Sequence, residues 1–215
     1  MANFPILIFF FLFFSNQALS HAQLTESTSD PDLKFDGFYI GANIGIQNVF
    51  GGSFVNEMDI LAQEHRLVLE LQTGYRKQFL SERFVLGLEF QLGFLNADLM
   101  HMEQDLKIFY DSNIQSGIGL TAGYAFGRKR SLLVFLYANE TKRKFDVNIE
   151  NQNFEFTQTD KQGMLKYGFG IEYSLGEKVN LRATAGKLNV DFGSLVTNID
   201  VEDKMDFTLG AVFNF

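Results

Sequence analysis

Residues 84–94 read FVLGLEFQLGF, and the alternation in this stretch decides the fold. Every even position from Phe84 to Phe94 carries a large apolar side chain, whereas the odd positions carry mainly glycine and polar residues. Successive side chains of a β-strand point to opposite faces of its sheet. The period of two therefore predicts a strand with one bulky apolar face and one small, polar face.

Seven further segments can be read as strands, and most of them repeat this alternation: residues 37–47, 66–76, 114–126, 131–140, 165–175, 179–187 and 207–215. Segment 131–140 is apolar on both faces, so the alternation does not fix its register. The connections are short near 78–82, 127–130 and 176–178, and long and polar at 49–64, 96–112, 140–163 and 189–204. This pattern predicts an all-β fold, an eight-stranded antiparallel up-and-down transmembrane β-barrel with short periplasmic turns and long extracellular loops.

The side-chain sizes decide which face lies inside the barrel. An eight-stranded barrel has an interior just wide enough for side chains of limited size, so the glycine-rich polar face fits the lumen and the bulky apolar face fits lipid. The apolar faces of the seven clearly phased segments carry no charge, as hydrocarbon requires. A closed barrel also pairs every backbone polar group without leaving an edge.

The N-terminal residues read as an export signal. The apolar run of residues 5–14 is too short to span a bilayer as a helix, and small residues allow cleavage before His21 or before Gln23. We therefore expect a signal peptide at 1–22, a flexible periplasmic lead-in at 23–35 and the barrel at 36–215, located in the cell outer membrane. The net charge of −8 argues against nucleic acid as a partner.

Three stretches resemble one family: DGFYIGANIG at 36–45, LKYGFGIEYSLGEKVNLRATAGKL at 165–188 and TLGAVFNF at 208–215. They are similar to small outer-membrane barrels of the outer-membrane protein A and opacity type, often called porin family proteins. The resemblance implies a cell-surface barrel of a Gram-negative envelope. It also implies that the terminal aromatic residue, here Phe215, is a signal read by the outer-membrane assembly machinery.

Five charged residues fall on the lumen side of the predicted strands, and they form a candidate ion-pair network: Glu70, Glu89, Lys166, Glu172 and Arg182. Glu172 and Arg182 lie symmetrically about the turn at 176–178, which places them face to face. In similar barrels an interior Glu–Arg contact is joined by a second Glu, a position matched here by Glu89. The interior Lys of that family corresponds to Gly123, and Lys166 could replace it from another strand.

The loops and turns differ in charge. The long loops are mostly acidic, with the carboxylates Glu57, Asp59, Glu64, Asp98, Glu103, Asp105, Asp111, Asp191, Asp200, Glu202 and Asp203. The short turns are basic, with Arg76, Lys77, Arg83 and residues 128–130. The third loop opens with KRK at 142–144 and alternates through 145–159, which predicts a hairpin that extends beyond the membrane and could bind a partner by strand addition.

These features favour a non-enzymatic role, either structural or adhesin-like through the acidic loops. The expected partners are outer-membrane lipids and lipopolysaccharide, the assembly machinery, and a host or cell-surface ligand; we expect no cofactor and no metal. One alternative is a narrow ion pore gated by the interior ion pairs. The other is a lipid A-modifying enzyme that uses Ser112 and Asp111 with His65 or His101. Asp98, His101, Glu103 and Asp105 also suggest a metal site or an omptin-like protease, but this segment has no recognisable ligand spacing.

Overall fold

The computed structural model describes residues 34–55, 58–79, 83–96, 98–103, 106–127, 131–151, 154–191 and 205–215. The predicted signal peptide, the lead-in as far as residue 33 and the connection 192–204 lie outside the described residues. Within this part of the chain, no helix is long and apolar enough to cross a membrane.

The described chain forms ten strands, which are β1 Gly37–Val55, β2 Met58–Phe79, β3 Phe84–Leu95, β4 Leu99–Glu103, β5 Leu106–Asp111, β6 Ile114–Phe126, β7 Leu132–Asn151, β8 Phe154–Ser174, β9 Val179–Asp191 and β10 Met205–Asn214. All strands except β4 and β5 form one antiparallel ring, because β10 pairs back with β1 from Tyr39 opposite Asn214 to Gln47 opposite Asp206. The predicted eight-stranded antiparallel barrel is therefore confirmed.

The two faces of the barrel wall follow the predicted alternation. Large apolar side chains such as Leu88, Leu120 and Phe169 are about half exposed on the outside, whereas their sequence neighbours line the lumen. Aromatic rings pair edge-to-face on the outside near the short-turn end, as with Phe84 and Tyr124 at 5.1 Å between centroids. Such aromatic residues typically mark a membrane interface.

The register of segment 131–140 is decided by the lumen. Leu133, Phe135 and Tyr137 of β7 point inward and are buried. Glycines on the facing strand make room for these rings, because a Cβ atom at Gly170 would overlap the Phe135 ring. This stretch is apolar on both faces because its inner face fills the barrel and its outer face meets lipid.

The connection 49–64, predicted as a long loop, is mostly strand, whereas the hairpin predicted for the third loop is confirmed. The β1–β2 hairpin continues to Val55 opposite Met58, and the β7–β8 hairpin continues to Asn151 opposite Phe154. The segment 96–112 contains the β4–β5 hairpin, and β5 pairs with the outer part of β7 from Lys107 to Asp111. Strands β4, β5 and the outer parts of β7 and β8 form what we call the outer sheet.

An apolar cluster explains why these segments are ordered. We call it the outer core, and it consists of Val49, Ala62, Val68, Leu95, Leu99, Leu106, Ile108, Tyr110, Phe145 and Val147. Along β7, the core residues Phe145 and Val147 alternate with Lys144, Asp146 and Asn148, in agreement with the alternation at 145–159. Burial of these side chains stabilises the hairpins beyond the lipid-facing part of the wall.

Candidate functional site

The lumen holds eight buried charged side chains among the described residues, none more than 3% exposed. They are the acids Glu70, Glu89, Glu172 and Asp206 and the bases Arg76, Arg143, Lys166 and Arg182. Four negative and four positive groups make the lumen formally neutral. Removing charge from water is expensive unless it is paired, so the arrangement of the partners decides what this site can do.

The layer nearest the short turns is built on Arg76 and Glu172. Arg76 Nη1 lies 2.9 Å from Glu172 Oε1 and 2.8 Å from Oε2, and Nη2 donates to Asn214 Oδ1 at 2.6 Å. Asn180 Nδ2 donates a further hydrogen bond to Glu172 at 3.2 Å. Strands β2, β8, β9 and β10 are thereby joined across the barrel.

The next layer centres on Glu89. Its carboxylate accepts hydrogen bonds from Arg182 Nη1 at 2.7 Å, Tyr39 Oη at 2.5 Å and Gln91 Nε2 at 2.6 Å. Arg182 Nε also lies 3.7 Å from Glu172 Oε1, which links this layer to the one below it. The structure therefore brings together Glu89, Glu172 and Arg182, three of the five residues predicted from sequence.

Aromatic rings pack against both guanidinium groups. The Arg76 guanidinium lies 4.5 Å from the Tyr39 ring centroid and 5.3 Å from that of Phe35, and the Arg182 guanidinium lies 4.6 Å from that of Phe135. Phe35 is fully buried, and its N–H donates to Gln78 Oε1 at 3.0 Å. Phe35 falls in the predicted lead-in, 23–35, but the structure places it in the lumen.

The remaining two predicted residues form a separate layer towards the outer sheet. Lys166 Nζ lies 2.7 Å from Glu70 Oε1 and 2.9 Å from Asp206 Oδ2. Lys166 therefore pairs with the carboxylates of Glu70 and Asp206 and is not a partner of Glu89. Above this layer, Arg143 Nη2 donates to Gln115 Oε1 at 2.6 Å, and Gln115 Nε2 donates to Gln47 Oε1 at 3.0 Å.

Sequence reasoning missed three of the eight charges. Arg76 was assigned to a basic turn, which is wrong, because β2 continues to Phe79 and keeps Arg76 on the inner face. Arg143 belongs to the KRK stretch that opens the predicted third loop, whereas only its neighbours Lys142 and Lys144 are exposed. Asp206 lies at the start of β10. Arg76 already lies on the inner face of segment 66–76, and extending the alternation of the other two strands by a few residues would have found Arg143 and Asp206.

The lumen is filled at both ends. The outer core closes it on the side of the outer sheet, and a cluster of Phe35, Val85, Ala125, Leu133, Phe135 and Tyr137 fills it on the side of the short turns. A cavity of about 10 Å³ lies between Tyr39, Arg76, Glu172 and Arg182. This is room for about one water molecule.

The residues considered for catalysis are not arranged as a nucleophile with its base. Ser112 is buried, and its Oγ has no hydrogen-bond partner among the described residues, whereas Asp111 is exposed. His65 is exposed on β2, and His101 lies on β4. In the part of the chain that the structure covers, no group of three or more acidic or histidine side chains could hold a metal ion.

Only some of the predicted acidic loop residues can be located. Glu64, Asp98 and Asp111 are exposed near the outer sheet. Desolvation, with the nearby Asp98 and Asp146 carboxylates, raises the pKa of Asp111. Residues 57, 105, 200, 202 and 203 lie outside the described residues, as do the side chains at positions 59, 103 and 191.

Comparison with known families now decides the class of this protein. A family model described as outer membrane protein beta-barrel domain matches residues 7–215. The chain belongs to this family. The resemblance to small outer-membrane barrels is confirmed, and membership implies an outer-membrane location. A search of curated proteins finds no match.

Several solved structures of the outer membrane protein beta-barrel type are similar to this chain. The attachment invasion locus protein Ail of Yersinia pestis is 11% identical, with a TM-score of 0.46 over 84% of this chain and 99% of that one. Neisserial surface protein A is 13% identical, with a TM-score of 0.42 over 84% and 98%. The N-terminal barrel domain of Pseudomonas aeruginosa OprF is 15% identical, with a TM-score of 0.36 over 84% and 98%.

Proposed function

We propose that this barrel is a non-enzymatic outer-membrane scaffold that presents the outer sheet as a rigid contact surface at the cell surface. The observation that carries the proposal is the continuation of the barrel strands into the outer sheet over its own apolar core. A surface that is already ordered does not lose loop entropy when it binds a partner. An ordinary solvated loop would give no such advantage.

The outward face of the outer sheet supplies the contact surface. One row of register partners crosses all four strands, from Met100 on β4 through Phe109 and Asn148 to Thr157 on β8. Met100 and Thr157 are exposed, and Phe109 and Asn148 are partly exposed. This combination of aromatic, thioether and amide groups suits recognition of a protein surface.

Adherence measured on intact cells tests the proposal. Cells that display the wild-type barrel are compared with a row variant, Phe109→Ser with Thr157→Arg, for attachment to cultured epithelial cells and immobilised matrix glycoproteins. We expect attachment by the wild type and loss in the row variant at equal surface levels. A matched control, Thr121→Ser in the lumen wall, should attach like the wild type. Equal attachment by cells without the barrel would remove the adhesin-like role.

A narrow pore is the second candidate, and the charged lumen is the observation that favours it. The two filled ends of the lumen and its water-sized cavity support the scaffold instead. Planar-bilayer recordings of the wild type separate the two, because the scaffold predicts no stepwise conductance. Steady conductance that disappears in Arg182→Ala would support the pore.

The non-enzymatic part of the proposal rests on the missing nucleophile–base pair at Ser112. Substitution of Ser112 by Ala should leave the mass profile of lipid A unchanged in cells that express the barrel. A shift in that profile between the wild type and the Ser112→Ala variant would establish lipid A modification.

A further inference from the structure

Residues 34–36 lie before the first strand of the barrel and cover the short-turn end of the lumen. They belong to no strand, because the β1 ladder begins at Gly37. Gly37 has a φ of +98°, a left-handed conformation that other residues rarely adopt, and this glycine allows a turn between residues 34–36 and β1. We call residues 34–36 the strap.

The Phe35 ring fills the lumen beneath the strap. It is fully buried in a cluster with Val85 and Leu133, and its centroid lies 5.3 Å from the Arg76 guanidinium. Arg76, Val85 and Leu133 also line the water-sized cavity of the lumen. Phe35 N–H donates to Gln78, which lies nearer the end of β2 than Arg76 does. The ring therefore separates this cavity from the short-turn end.

Side-chain contacts fasten the strap to β2 and β10. Gln78 Oε1 accepts a hydrogen bond from Phe35 N–H at 3.0 Å, and Gln78 N–H donates to Asp36 Oδ1 at 2.9 Å. Asn214 Nδ2 donates to the Lys34 carbonyl at 3.0 Å. Each of these three bonds uses a side chain, so they can break while the β-ladders of the barrel stay intact.

The strap is fastened less firmly than the opposite end of the lumen. The outer core is buried between strands that share ladders, as where Ile108 of β5 pairs with Ile149 of β7. The ion pair of Asp36 with Lys77 lies on a partly exposed surface, and such pairs contribute little. Local openings that break few contacts have free energies below that of global unfolding. The strap should therefore open at a lower cost than the outer core.

We propose that the strap is a hinged lid, which opens about Gly37 while the barrel stays folded. An open strap removes the Phe35 ring from the lumen and gives small solutes of the periplasm access to the cavity at Arg76 and Glu172. Because the outer core still closes the other end, opening gives access without conductance. The lid is separate from the contact row of the outer sheet, and it does not depend on adhesion.

Thiol labelling measures access to the cavity. The chain contains no cysteine, so Val85→Cys supplies a single thiol at a position that is 3% exposed. The full-length folded barrel in neutral-lipid nanodiscs is treated with a small charged methanethiosulfonate, and its intact mass counts the label. We expect Val85→Cys to be labelled slowly, yet faster than the barrel unfolds. Adding Asp36→Ala, which keeps the Phe35 ring, should raise the rate about three- to tenfold, and adding Phe35→Ala should raise it further.

Matched variants in the same Val85→Cys chain control for the deleted atoms. Phe38→Ala removes the same ring from an outward position that is 64% exposed, and Glu177→Ala removes an exposed carboxylate at the same end of the barrel. Both should be labelled like the parent. Heat-modifiable migration in detergent gels shows that each variant is folded, and unfolding kinetics extrapolated to zero urea give the rate for the whole barrel.

Three outcomes would overturn the proposal. The first is labelling of Val85→Cys no faster than unfolding, because access would then require loss of the barrel. The second is faster labelling in neither variant or in Phe35→Ala alone, because the hole left by the missing ring would explain the latter. The third is an equal acceleration in either matched control.

Discussion

Arg182 donates to Glu89 at 2.7 Å, although its register partner across the β8–β9 hairpin is Glu172, 3.7 Å from Arg182 Nε. Glu172 is instead held by Arg76 at 2.8 Å. Each arginine therefore has a carboxylate of its own, and the 3.7 Å contact joins the two pairs. This linked arrangement favours a fixed plug between the barrel walls.

Breaking one of these pairs should destabilise the barrel strongly. Arg76→Gln leaves the Glu172 carboxylate buried without its cation, and such a loss costs roughly 3 to 5 kcal/mol. Unfolding by urea in lipid vesicles measures the change in free energy. The double variant with Glu172→Gln should lose less than the sum of the two single variants.

A neighbouring basic residue provides the control for that experiment. Lys77, which pairs with Asp36 at 2.9 Å on a partly exposed surface, should tolerate Lys77→Gln with a loss of about 1 kcal/mol or less. If Arg76→Gln and Lys77→Gln proved equally mild, the buried pair would not be a structural element.

The lumen glycines should be sensitive to a single methyl group. A Cβ atom at Gly170 meets only the Phe135 ring among its nearest atoms, so Gly170→Ala should cost about 1 to 3 kcal/mol through overpacking. Phe135→Leu in the same chain should recover part of this loss. Gly163→Ala is the control, because nothing lies within 4 Å of a Cβ atom there. Urea unfolding of these three variants and of Phe135→Leu alone gives the four values, and an additive result for Gly170→Ala and Phe135→Leu would contradict the predicted contact.

The outer core should be separable from the barrel. Ile108 is fully buried in this core, and Ile108→Ala should cost about 2 to 5 kcal/mol of local stability. We expect faster cleavage of the outer sheet by protease on intact cells, with unchanged heat-modifiable migration of the barrel. Lys107→Ala on the exposed face should not alter cleavage. Loss of migration in Ile108→Ala would mean that the barrel and outer sheet unfold as one unit.

Deletion of Phe215 should reduce assembly more than it reduces the stability of the assembled barrel. Phe215 is 71% exposed on the outer surface. Its N–H donates to the Phe38 carbonyl at 3.1 Å. Loss of one exposed side chain and one such hydrogen bond leaves the β1–β10 ladder intact. Surface levels of the deletion form and a Phe215→Leu control give the measurement, and equal levels for deletion and wild type would refute the assembly signal.

The sequence by itself was sufficient to predict the barrel fold, because the period of two is a local property of each strand. Large apolar side chains such as Leu88 also identified the lipid face, and glycines such as Gly87 identified the lumen face. For the same reason, Glu89 and Arg182 could be placed in the lumen from local alternation. The local pattern placed Glu172 opposite Arg182 across their turn, but it could not identify partners on distant strands, such as Arg76 and Glu172, which are 96 residues apart.

Only the tertiary structure decided the pairing and the outer sheet. The lumen pairing depends on the closure of β10 against β1 and on the stagger between strands, which sets the height of each side chain across the barrel. The outer sheet depends on the pairing of β5 with β7 beyond the lipid-facing wall, where Ile108 of β5 and Phe145 of β7 are buried in the same core. The alternation at 145–159 predicted the β7–β8 hairpin, but it could not show that β5 pairs with β7, because that free energy comes from surface buried between distant segments.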